Sequence, residues 1–481
     1  MTLLSLPIGI TWVLGTVLAM LDGRRPLVGW LSVAGLGASF VSVIVLSVTV
    51  VQNGPLEMVA GGWPEGVGIQ LRADVLGVTF ALVSSAVIFF ALVYEVMGGV
   101  RSRTFPAFVL FVNTGLMGIF LTGDIFNFYV FFEISMVAAY VLTGYRERDY
   151  QVRAAFIFAI VNLIGSVIFL VAVGGLYHLT GSLDMQIVAE RITQAELAPT
   201  VSIAAAILVA FGLKLGLFPF HYWLPAVYVG SHASVVAILS GALANIGGYG
   251  LLRFGGDILP EVLALGAPVI IILGTASIIY GALQAVSRRS PAEVMAYSAI
   301  GQVGYILIAL GIGGPIGFAA AVLYAVVNSL NKLLLFLAIG LRGPLVGVAF
   351  AIGAFSVAGV PPAPGFLGKL ALFRTGLEME SLANSIALVT LIFLGGALSF
   401  LYSFQVYQRV YMKPDQTPPA PPMQTDPFSA GGPNKPSPLA VRGMVVVLAA
   451  LVVAVGVWPE PLLVLSDGAA AVLAGGAGGA P

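Results

Sequence analysis

The amino-acid sequence predicts an all-α polytopic membrane protein with about 14 transmembrane helices. Of its 481 residues, 59% are hydrophobic and 9% are charged, whereas an ordinary soluble domain carries about 25% charged residues. The mean hydropathy of +1.04 agrees with this composition. A spanning helix needs about 20 apolar residues, so the chain has room for on the order of a dozen or more spans. So few charged residues cannot form the surface of a water-soluble protein of this length.

The predicted spans are apolar stretches separated by Gly, Pro or charged breaks. The first, 3–20, has no basic residue before it and is expected to be a retained helix rather than a signal peptide. The Gly-rich segment 52–73 is expected to form a small external hairpin. The fourteen predicted helices are 3–20, 27–51, 74–97, 105–122, 124–143, 153–178, 200–224, 233–253, 261–284, 292–312, 315–341, 349–378, 382–411 and 440–463.

The helix order divides the chain into five parts. Residues 1–102 hold helices 1–3, residues 103–253 hold a five-helix repeat of helices 4–8, and residues 254–411 hold a second repeat of helices 9–13. An odd number of helices in each repeat gives the second one an inverted topology. Residues 412–439 are expected to be a cytoplasmic linker, since nine of the 28 prolines lie there. Residues 440–481 are expected to hold helix 14 and a disordered Gly/Ala tail after Asp467.

Basic residues concentrate in alternate loops, which predicts the sidedness of the chain. One set comprises Arg24, Arg25, Arg101, Arg103, Arg146, Arg148, Arg153, Arg288, Arg289, Arg342, Arg409, Lys413, Lys435 and Arg442. The opposite loops hold Arg72, Arg191, Arg253 and Arg374. By the positive-inside rule, the first set faces the cytoplasm and both termini lie outside a prokaryotic inner membrane.

The charge balance and the residue types exclude several functions. Lys plus Arg and Asp plus Glu both number 21, so neither a basic nucleic-acid-binding surface nor an acidic tail is expected. The chain has no cysteine, which excludes disulfides, Fe–S clusters, covalently attached haem and thiolate metal sites. Its three histidines leave little for a metal centre. We therefore predict no metal site, no cofactor and no nucleic-acid partner.

Four of the ionisable residues inside predicted spans are singled out as candidates for function, because an unpaired charge in the bilayer is costly. Glu133 follows Asp124 by nine residues, which at about 1.5 Å per residue puts it roughly 13 Å deeper, near the bilayer midplane. Lys214, Lys332 and Lys369 are the three basic residues that belong to neither set of loops, and all three fall inside predicted spans. A structural salt bridge to a buried partner, or a side chain that reaches the interface, is the alternative explanation for each.

Prolines are expected to break the seventh and twelfth helices. Pro219 and Pro225 flank His221 in the first break, and Pro361 and Pro362 begin the second. Discontinuous helices at matching positions of inverted repeats line cavities for water or ions and are typical of transporters. His221 would either extend a proton path or hydrogen-bond a carbonyl that the break frees. In the eleventh helix Tyr324 and Asn328 share one face with Lys332, because they are spaced by four residues.

Four motifs resemble a known family. They are Thr122–Glu133 (TGDIFNFYVFFE), Phe218–Pro225 (FPFHYWLP), Ala296–Tyr305 (AYSAIGQVGY) and Pro361–Lys369 (PPAPGFLGK). Over roughly residues 70–410, the chain resembles the antiporter-like proton-translocating family. This family includes subunits A and D of Mrp cation/proton antiporters and the antiporter-like subunits of respiratory complex I and membrane-bound hydrogenases. The first motif and the length are most similar to the D subunits.

The resemblance implies fourteen helices, two inverted repeats and a mid-membrane line of charged residues that moves protons. It implies that Glu133 and Lys214 form the acid–lysine pair of the first half-channel, with Lys332 as the central lysine and Lys369 as the terminal one. Water would connect residues that are too far apart for direct transfer.

Four positions depart from the family's usual residues, and one is Ala226, where an acid often follows the Trp-Leu-Pro run. Asn245 replaces a lysine that is usual in helix 8, and Tyr324 and Asn328 replace histidines that are common in helix 11. An amide cannot carry a proton, so water would have to fill the path at Asn245 and Asn328. Together with Tyr324 and His221, these residues are candidates either for the relay itself or for lining its water.

The leading interpretation is a proton-translocating membrane subunit of a multi-subunit sodium/proton antiporter, which is a secondary transporter subunit rather than an enzyme. It would work in the lipid bilayer with other membrane subunits and move H⁺ and Na⁺. The first alternative is the proton-pumping subunit of a complex I-like NADH:quinone oxidoreductase or a membrane-bound hydrogenase. The second, suggested by Asn245 and Asn328, is a structural subunit that conducts weakly.

Overall fold

The computed structural model describes residues 2–63, 68–377, 381–412 and 439–475. These residues are helical except for their loops and one two-stranded hairpin, β1 (Leu56–Val59) and β2 (Gln70–Ala73). The helices, in chain order, are α1 (Thr2–Ala19), α2 (Pro26–Asn53), α3 (Val75–Gly98), α4 (Phe105–Phe120), α5 (Ile125–Thr143), α6 (Asp149–Thr180), α7 (Met185–Ile192), α8 (Leu197–Leu215), α9 (Leu224–Gly230), α10 (Ala233–Ile258), α11 (Pro260–Ser287), α12 (Pro291–Ile312), α13 (Gly314–Ile339), α14 (Pro344–Ala358), α15 (Pro364–Leu377), α16 (Leu382–Met412), α17 (Leu439–Val457) and α18 (Glu460–Gly475).

The fold class predicted from the sequence is confirmed. In the described part of the chain, 11 helices are long and apolar enough to cross a membrane, and the shorter apolar helices α1, α4 and α14 account for the remaining predicted spans. Helices α10, α12 and α13 are buried on nearly all sides. A helix that is apolar all round and enclosed by others forms the core of such a bundle. These three helices carry Asn245, Gln302, Asn328 and Lys332, which are considered below.

The predicted hairpin between the second and third spans is present. β1 and β2 pair antiparallel, with Leu56 opposite Ala73. The Arg72 amide also donates a 2.9 Å hydrogen bond to the Leu121 carbonyl, beyond the end of α4. This bond ties the hairpin to the first five-helix repeat, because Leu121 leads directly into α5.

The seventh and twelfth predicted helices are discontinuous, as the prolines indicate. α8 ends at Leu215 and is capped by Gly216, whose φ of +65° is left-handed, and the chain resumes as α9 with Pro225 at its second position. α14 is capped in the same way by Gly359, whose φ is +85°, and α15 begins at Pro364. A left-handed C-cap favours glycine, and proline fits the first turn of a helix because that turn needs no amide donor. Lys214 precedes the first break and Lys369 follows the second.

The order of the helices agrees with the two predicted repeats. The first contains α4, α5, α6, the broken pair α8–α9, and α10. The second contains α11, α12, α13, the broken pair α14–α15, and α16. α10 departs from a regular α-helix at the π-helical turns Leu239–Leu243 and Leu251–Ile258, which the apolar pattern does not predict.

The C-terminal end differs from its prediction. The sequence predicts helix 14 over 440–463 and a disordered tail after Asp467, but α17 ends at Val457 and α18 continues to Gly475. Small residues explain the difference, because α18 packs so closely that a Cβ on Gly468 would lie 2.9 Å from Val75 Cγ1. Alanine is also the strongest helix former. The predicted Pro-rich linker lies outside the described residues between Met412 and Leu439.

Candidate functional site

The acid and the lysine of the first repeat are connected through α6. The Ser166 hydroxyl donates a hydrogen bond to Glu133 Oε1, and Lys214 Nζ donates to Asn162 Oδ1 at 3.3 Å. Asn162 and Ser166 are four residues apart and therefore share one face of α6. No ion pair within 4.0 Å joins Glu133 to Lys214 among the described side chains. Asn162 and Ser166 therefore form a bridge on α6, in which one side chain contacts Lys214 and the other contacts Glu133.

Lys214 lies in an apolar and aromatic environment. Its side chain is 5% exposed, its Nζ contacts the sulfur of Met136, and it lies 4.8 Å from the ring centre of Phe132 and 5.7 Å from that of Phe158. Aromatic faces attract an ammonium, and this attraction offsets part of the cost of burying it. Glu133 is only half-buried. Lys214 is thus enclosed in the protein interior, whereas Glu133 lies nearer the protein surface.

His221 lies in the first break, beside aromatic rings rather than beside Lys214. Its ring centre is 5.4 Å from Phe218 and 4.4 Å from Tyr280. Its Nδ1 is buried and has no hydrogen-bond partner among the residues described. The indole of Trp223 donates to the Leu213 carbonyl at 2.9 Å, so a tryptophan rather than the histidine ring satisfies that carbonyl next to the break.

Asn245 forms a polar connection between three helices. Its Nδ2 donates to Ser84 Oγ on α3 at 3.0 Å and to the Gly241 carbonyl at 3.1 Å. Its Oδ1 accepts a 3.0 Å hydrogen bond from Ser329 on α13. All three hydrogen bonds connect neutral groups. At this position the chain therefore has a fixed amide that links the repeats, in place of a charge.

Lys332 lies beside a small cavity in the second repeat. It is 7% exposed, and it makes no hydrogen bond or ion pair to protein groups within the described ranges. The cavity has a volume of ≈ 10 Å³ for the centre of a water-sized sphere, and Asn328, Ser298 and Gln302 line it with Lys332. One buried water needs roughly this volume and several polar partners. The cavity therefore fits a single water between the lysine and these side chains.

Gln302 of α12 connects this cavity to the next. Its Oε1 accepts a hydrogen bond from the Tyr324 hydroxyl, and its Nε2 donates to Ser399 Oγ at 3.4 Å and Tyr402 Oη at 3.3 Å. Tyr402 in turn lies 2.7 Å from Ser298 Oγ. These side chains form a continuous hydrogen-bonded network. Of the predicted stripe, Asn328 and Lys332 line the same cavity and Tyr324 reaches it through Gln302.

Lys369 lies at the far end of this network. Its Nζ donates to the Ala358 carbonyl at 2.9 Å, next to the break between α14 and α15, and lies 5.4 Å from the ring centre of Tyr305. A second cavity of ≈ 10 Å³ is lined by Tyr305, Gln302 and Tyr402, among others. The buried Tyr305 hydroxyl has no partner among the described side chains. A water in this cavity would extend the network from Gln302 toward Lys369.

The interpretation of the sequence missed several polar residues. Gln302, Tyr402 and Ser399 are uncharged, so the high cost of burying a charge does not single them out in the sequence. Glu95 in α3 is 0% exposed, and its position inside a predicted span was a signal that could have found it. At the other end of α3, Arg253 Nη2 binds both oxygens of Asp74 at 2.7 and 2.8 Å. In the described ranges no group of three His, Asp or Glu residues is placed to hold a metal ion.

Comparisons with known proteins show that the chain is similar to antiporter-like membrane subunits. The sequence model of a family described as "NADH:quinone oxidoreductase/Mrp antiporter, TM" matches residues 122–342. The D-type subunit of the Na⁺/H⁺ antiporter of Alkalihalophilus pseudofirmus is 31% identical over 431 residues, which cover 84% of this chain and 87% of that protein.

Two solved structures share the fold over nearly the whole chain. A chain of the Mrp complex from Dietzia sp. DQ12-45-1b superposes with a TM-score of 0.86 and 26% identity, and 98% of each chain is covered. A chain of the archaeal membrane-bound sulfane sulfur reductase, a respiratory membrane complex, also gives a TM-score of 0.86 over 98% of each chain, at 24% identity. The second likeness concerns the fold alone.

Proposed function

We propose that this chain, which belongs to the family of Na⁺/H⁺ antiporter D subunits, is the proton-translocating membrane subunit of a multi-subunit sodium/proton antiporter. The observation that carries this proposal is the polar network from Lys332 through Gln302 toward Lys369 in the interior of α12, α13 and α16. Burying polar groups costs free energy, and a subunit with only a structural role could be stabilised by an apolar core instead. The polar network therefore favours a role in transport. The subunit is a transporter component and not an enzyme.

The proposed mechanism is a sequence of protonation changes along the buried charges. Two unit charges about 10 Å apart interact by roughly 1.7 kcal/mol at an effective dielectric of about 20. This energy is enough to change a protonation equilibrium by more than about tenfold. A proton that arrives at Lys214 therefore disfavours a second positive charge nearby. Protons would move between Lys332 and Lys369 through the two water-sized cavities and the side chains that join them.

The orientation in the membrane is part of the proposal. The loops that hold Arg101, Arg146 and Arg289 would face the cytoplasm, since positive residues are retained there. Fourteen spans then put both termini on the outside of an inner membrane. Other membrane subunits and lipid would cover the half-buried Glu133 and the exposed apolar faces of α6 and α16.

Sodium-dependent proton movement tests the proposed function against the redox-driven alternative. Everted vesicles that contain the whole assembly are energised by an unrelated respiratory pump, and the pH gradient is followed with an acridine dye. Addition of Na⁺ is expected to dissipate the gradient and restore the fluorescence. If Na⁺ has no effect and the same assembly instead acidifies the vesicles during quinone-linked oxidation, then the redox-driven alternative is correct.

Glu133→Gln is expected to lower this sodium-dependent signal by at least about tenfold. The glutamine keeps an oxygen that accepts the Ser166 hydrogen bond, so the contact between α5 and α6 is retained while the charge is lost. The measurement is the initial rate of dequenching, normalised to the amount of assembled complex. A Glu133→Gln complex that transports at the wild-type rate would show that the α5 carboxylate is structural.

A further inference from the structure

A buried ionic cluster lies at the end of α3, on the side that carries most of the arginines. Glu95 is 0% exposed, and its Oε1 accepts hydrogen bonds from the Tyr145 hydroxyl at 2.7 Å and from Arg146 Nη2 at 3.5 Å. Its Oε2 accepts from Ser234 Oγ at 2.8 Å and lies 3.2 Å from His232 Nδ1. Donors aimed at both oxygens favour the ionised carboxylate. The cluster therefore holds a fixed negative charge beside the imidazole.

One ring nitrogen of His232 has polar partners, and the other has none among the described residues. Its Nδ1 faces the carboxylate and also lies 3.0 Å from Ser234 Oγ. Its Nε2 is buried and has no hydrogen-bond partner among the residues that the structure describes. A ring that donates its Nδ1 proton to a carboxylate carries a lone pair at Nε2. The geometry therefore presents an unoccupied proton acceptor in the protein interior.

Burial favours the neutral form of the His232 ring. Burial lowers the pKa of His232 below its usual value, Glu95 acts in the opposite direction, and the positive charges of Arg146 and Arg101 lower it further. The Tyr145 hydroxyl donates a hydrogen bond to Glu95 and accepts one of 2.8 Å from the Arg101 amide, so it fixes the position of the carboxylate. Glu95 can pair with an imidazolium as soon as one forms.

The position of His232 in the fold connects it to the second repeat. It follows Gly230, the end of α9, and immediately precedes α10. Tyr228, one turn earlier, packs its ring 5.7 Å from that of Phe336 on α13. Phe336 also lines the small cavity beside Lys332. Tyr228 and Phe336 therefore connect α9, which ends two residues before the histidine, to the cavity at the central lysine.

We propose, resting on the proposed function above, that His232 is the group that loads protons at the arginine-rich mouth of the subunit, with Glu95 as its positioning residue. Nε2 takes a proton from water, and the imidazolium pairs with the Glu95 carboxylate. The same proton then leaves Nε2 for water on the path along α9 toward the cavity at Lys332. The ring returns to its neutral form, and Glu95 stays ionised throughout.

The test compares His232→Ala and His232→Gln in proteoliposomes that contain the intact assembly. Both variants are expected to lose on the order of tenfold or more of the sodium-driven proton flux. Added imidazole, which can diffuse into the space left by Ala, is expected to restore flux in His232→Ala but not in His232→Gln. Ser231→Ala is the matched control, because the hydroxyl of this neighbour donates to the Val227 carbonyl within its own turn, and it is expected to transport normally with or without imidazole.

Two outcomes would overturn the inference. Unchanged flux in both His232 variants would show that the histidine is not on the path. A loss of flux that imidazole does not restore in His232→Ala would assign the cluster a structural role. Failure of the proposed function itself is distinguishable, because the wild-type assembly would then show no sodium-driven flux at all.

Discussion

Replacing Lys214 with Ala is expected to lower sodium-dependent proton movement by about 100-fold or more. The lysine is enclosed by Met136, Phe132 and Phe158 and reaches Asn162 on α6. Without its ammonium, this pocket has no group that can take a proton. The measurement is dye dequenching in everted vesicles, with co-purification of the companion subunits as the check on assembly.

A second substitution at this position separates proton exchange from a merely structural charge. Lys214→Arg keeps the positive charge, but a guanidinium does not release its proton in a protein. If Lys214 relays protons, the arginine variant is expected to be as inactive as the alanine variant. Activity retained by Lys214→Arg would instead identify a structural cation. Arg25→Ala, which removes an exposed basic residue between α1 and α2, is the control and is expected to transport normally.

The second large effect is expected at Lys332. Lys332→Met preserves much of the side-chain volume and removes the charge at the cavity shared with Asn328 and Gln302. The fold is expected to tolerate it, because Lys332 has no described hydrogen bond or ion pair to lose. We expect a loss of about 100-fold or more in sodium-dependent proton movement, since the network toward Lys369 would begin without a carrier.

The control for Lys332 lies ten residues further along the chain. Arg342→Ala removes an exposed basic residue from the loop between α13 and α14 and is expected to leave transport unchanged. Thermal unfolding of the purified assembly shows whether Lys332→Met retains its stability. Full transport by a stable Lys332→Met assembly would exclude Lys332 from the proton path and favour the weakly conducting structural alternative.

The overall fold could be predicted because hydropathy and proline act locally. Apolar runs are sufficient to identify a span, and Pro219 and Pro361 interrupt a helix whatever surrounds them. The prediction for the segment that forms α18 is wrong for the opposite reason. Its Gly and Ala residues resemble a disordered tail, and its helix depends on packing against other helices, as the close approach of Gly468 to Val75 shows.

The candidate site could be predicted only where it carries a charge. Glu133, Lys214, Lys332 and Lys369 are conspicuous because a bilayer excludes charges. Gln302 joins Lys332 to the far half of its repeat, yet a glutamine in an apolar helix is not conspicuous.

The contacts between residues that are distant in the chain could not be predicted from the sequence either. The bridge of Asn162 and Ser166 depends on where α6 packs against α5 and α8, and no spacing in the chain shows this. The carboxylate of Glu95 gathers partners from two separate loops, Tyr145 from one and His232 from the other. Such contacts follow from tertiary packing and not from local pattern.

The central claim is that protons pass through the buried lysines of this chain. The most direct measurement is the initial rate of internal pH change after a sodium jump, in proteoliposomes that contain the purified intact assembly. One assembly contains the wild-type chain, and the other contains a triple variant in which Lys214, Lys332 and Lys369 are all changed to Arg. The arginines keep the three positive charges but do not release their protons. We predict a sodium-driven pH change for the wild type and none above background for the triple variant. Equal rates in the two assemblies would contradict the claim.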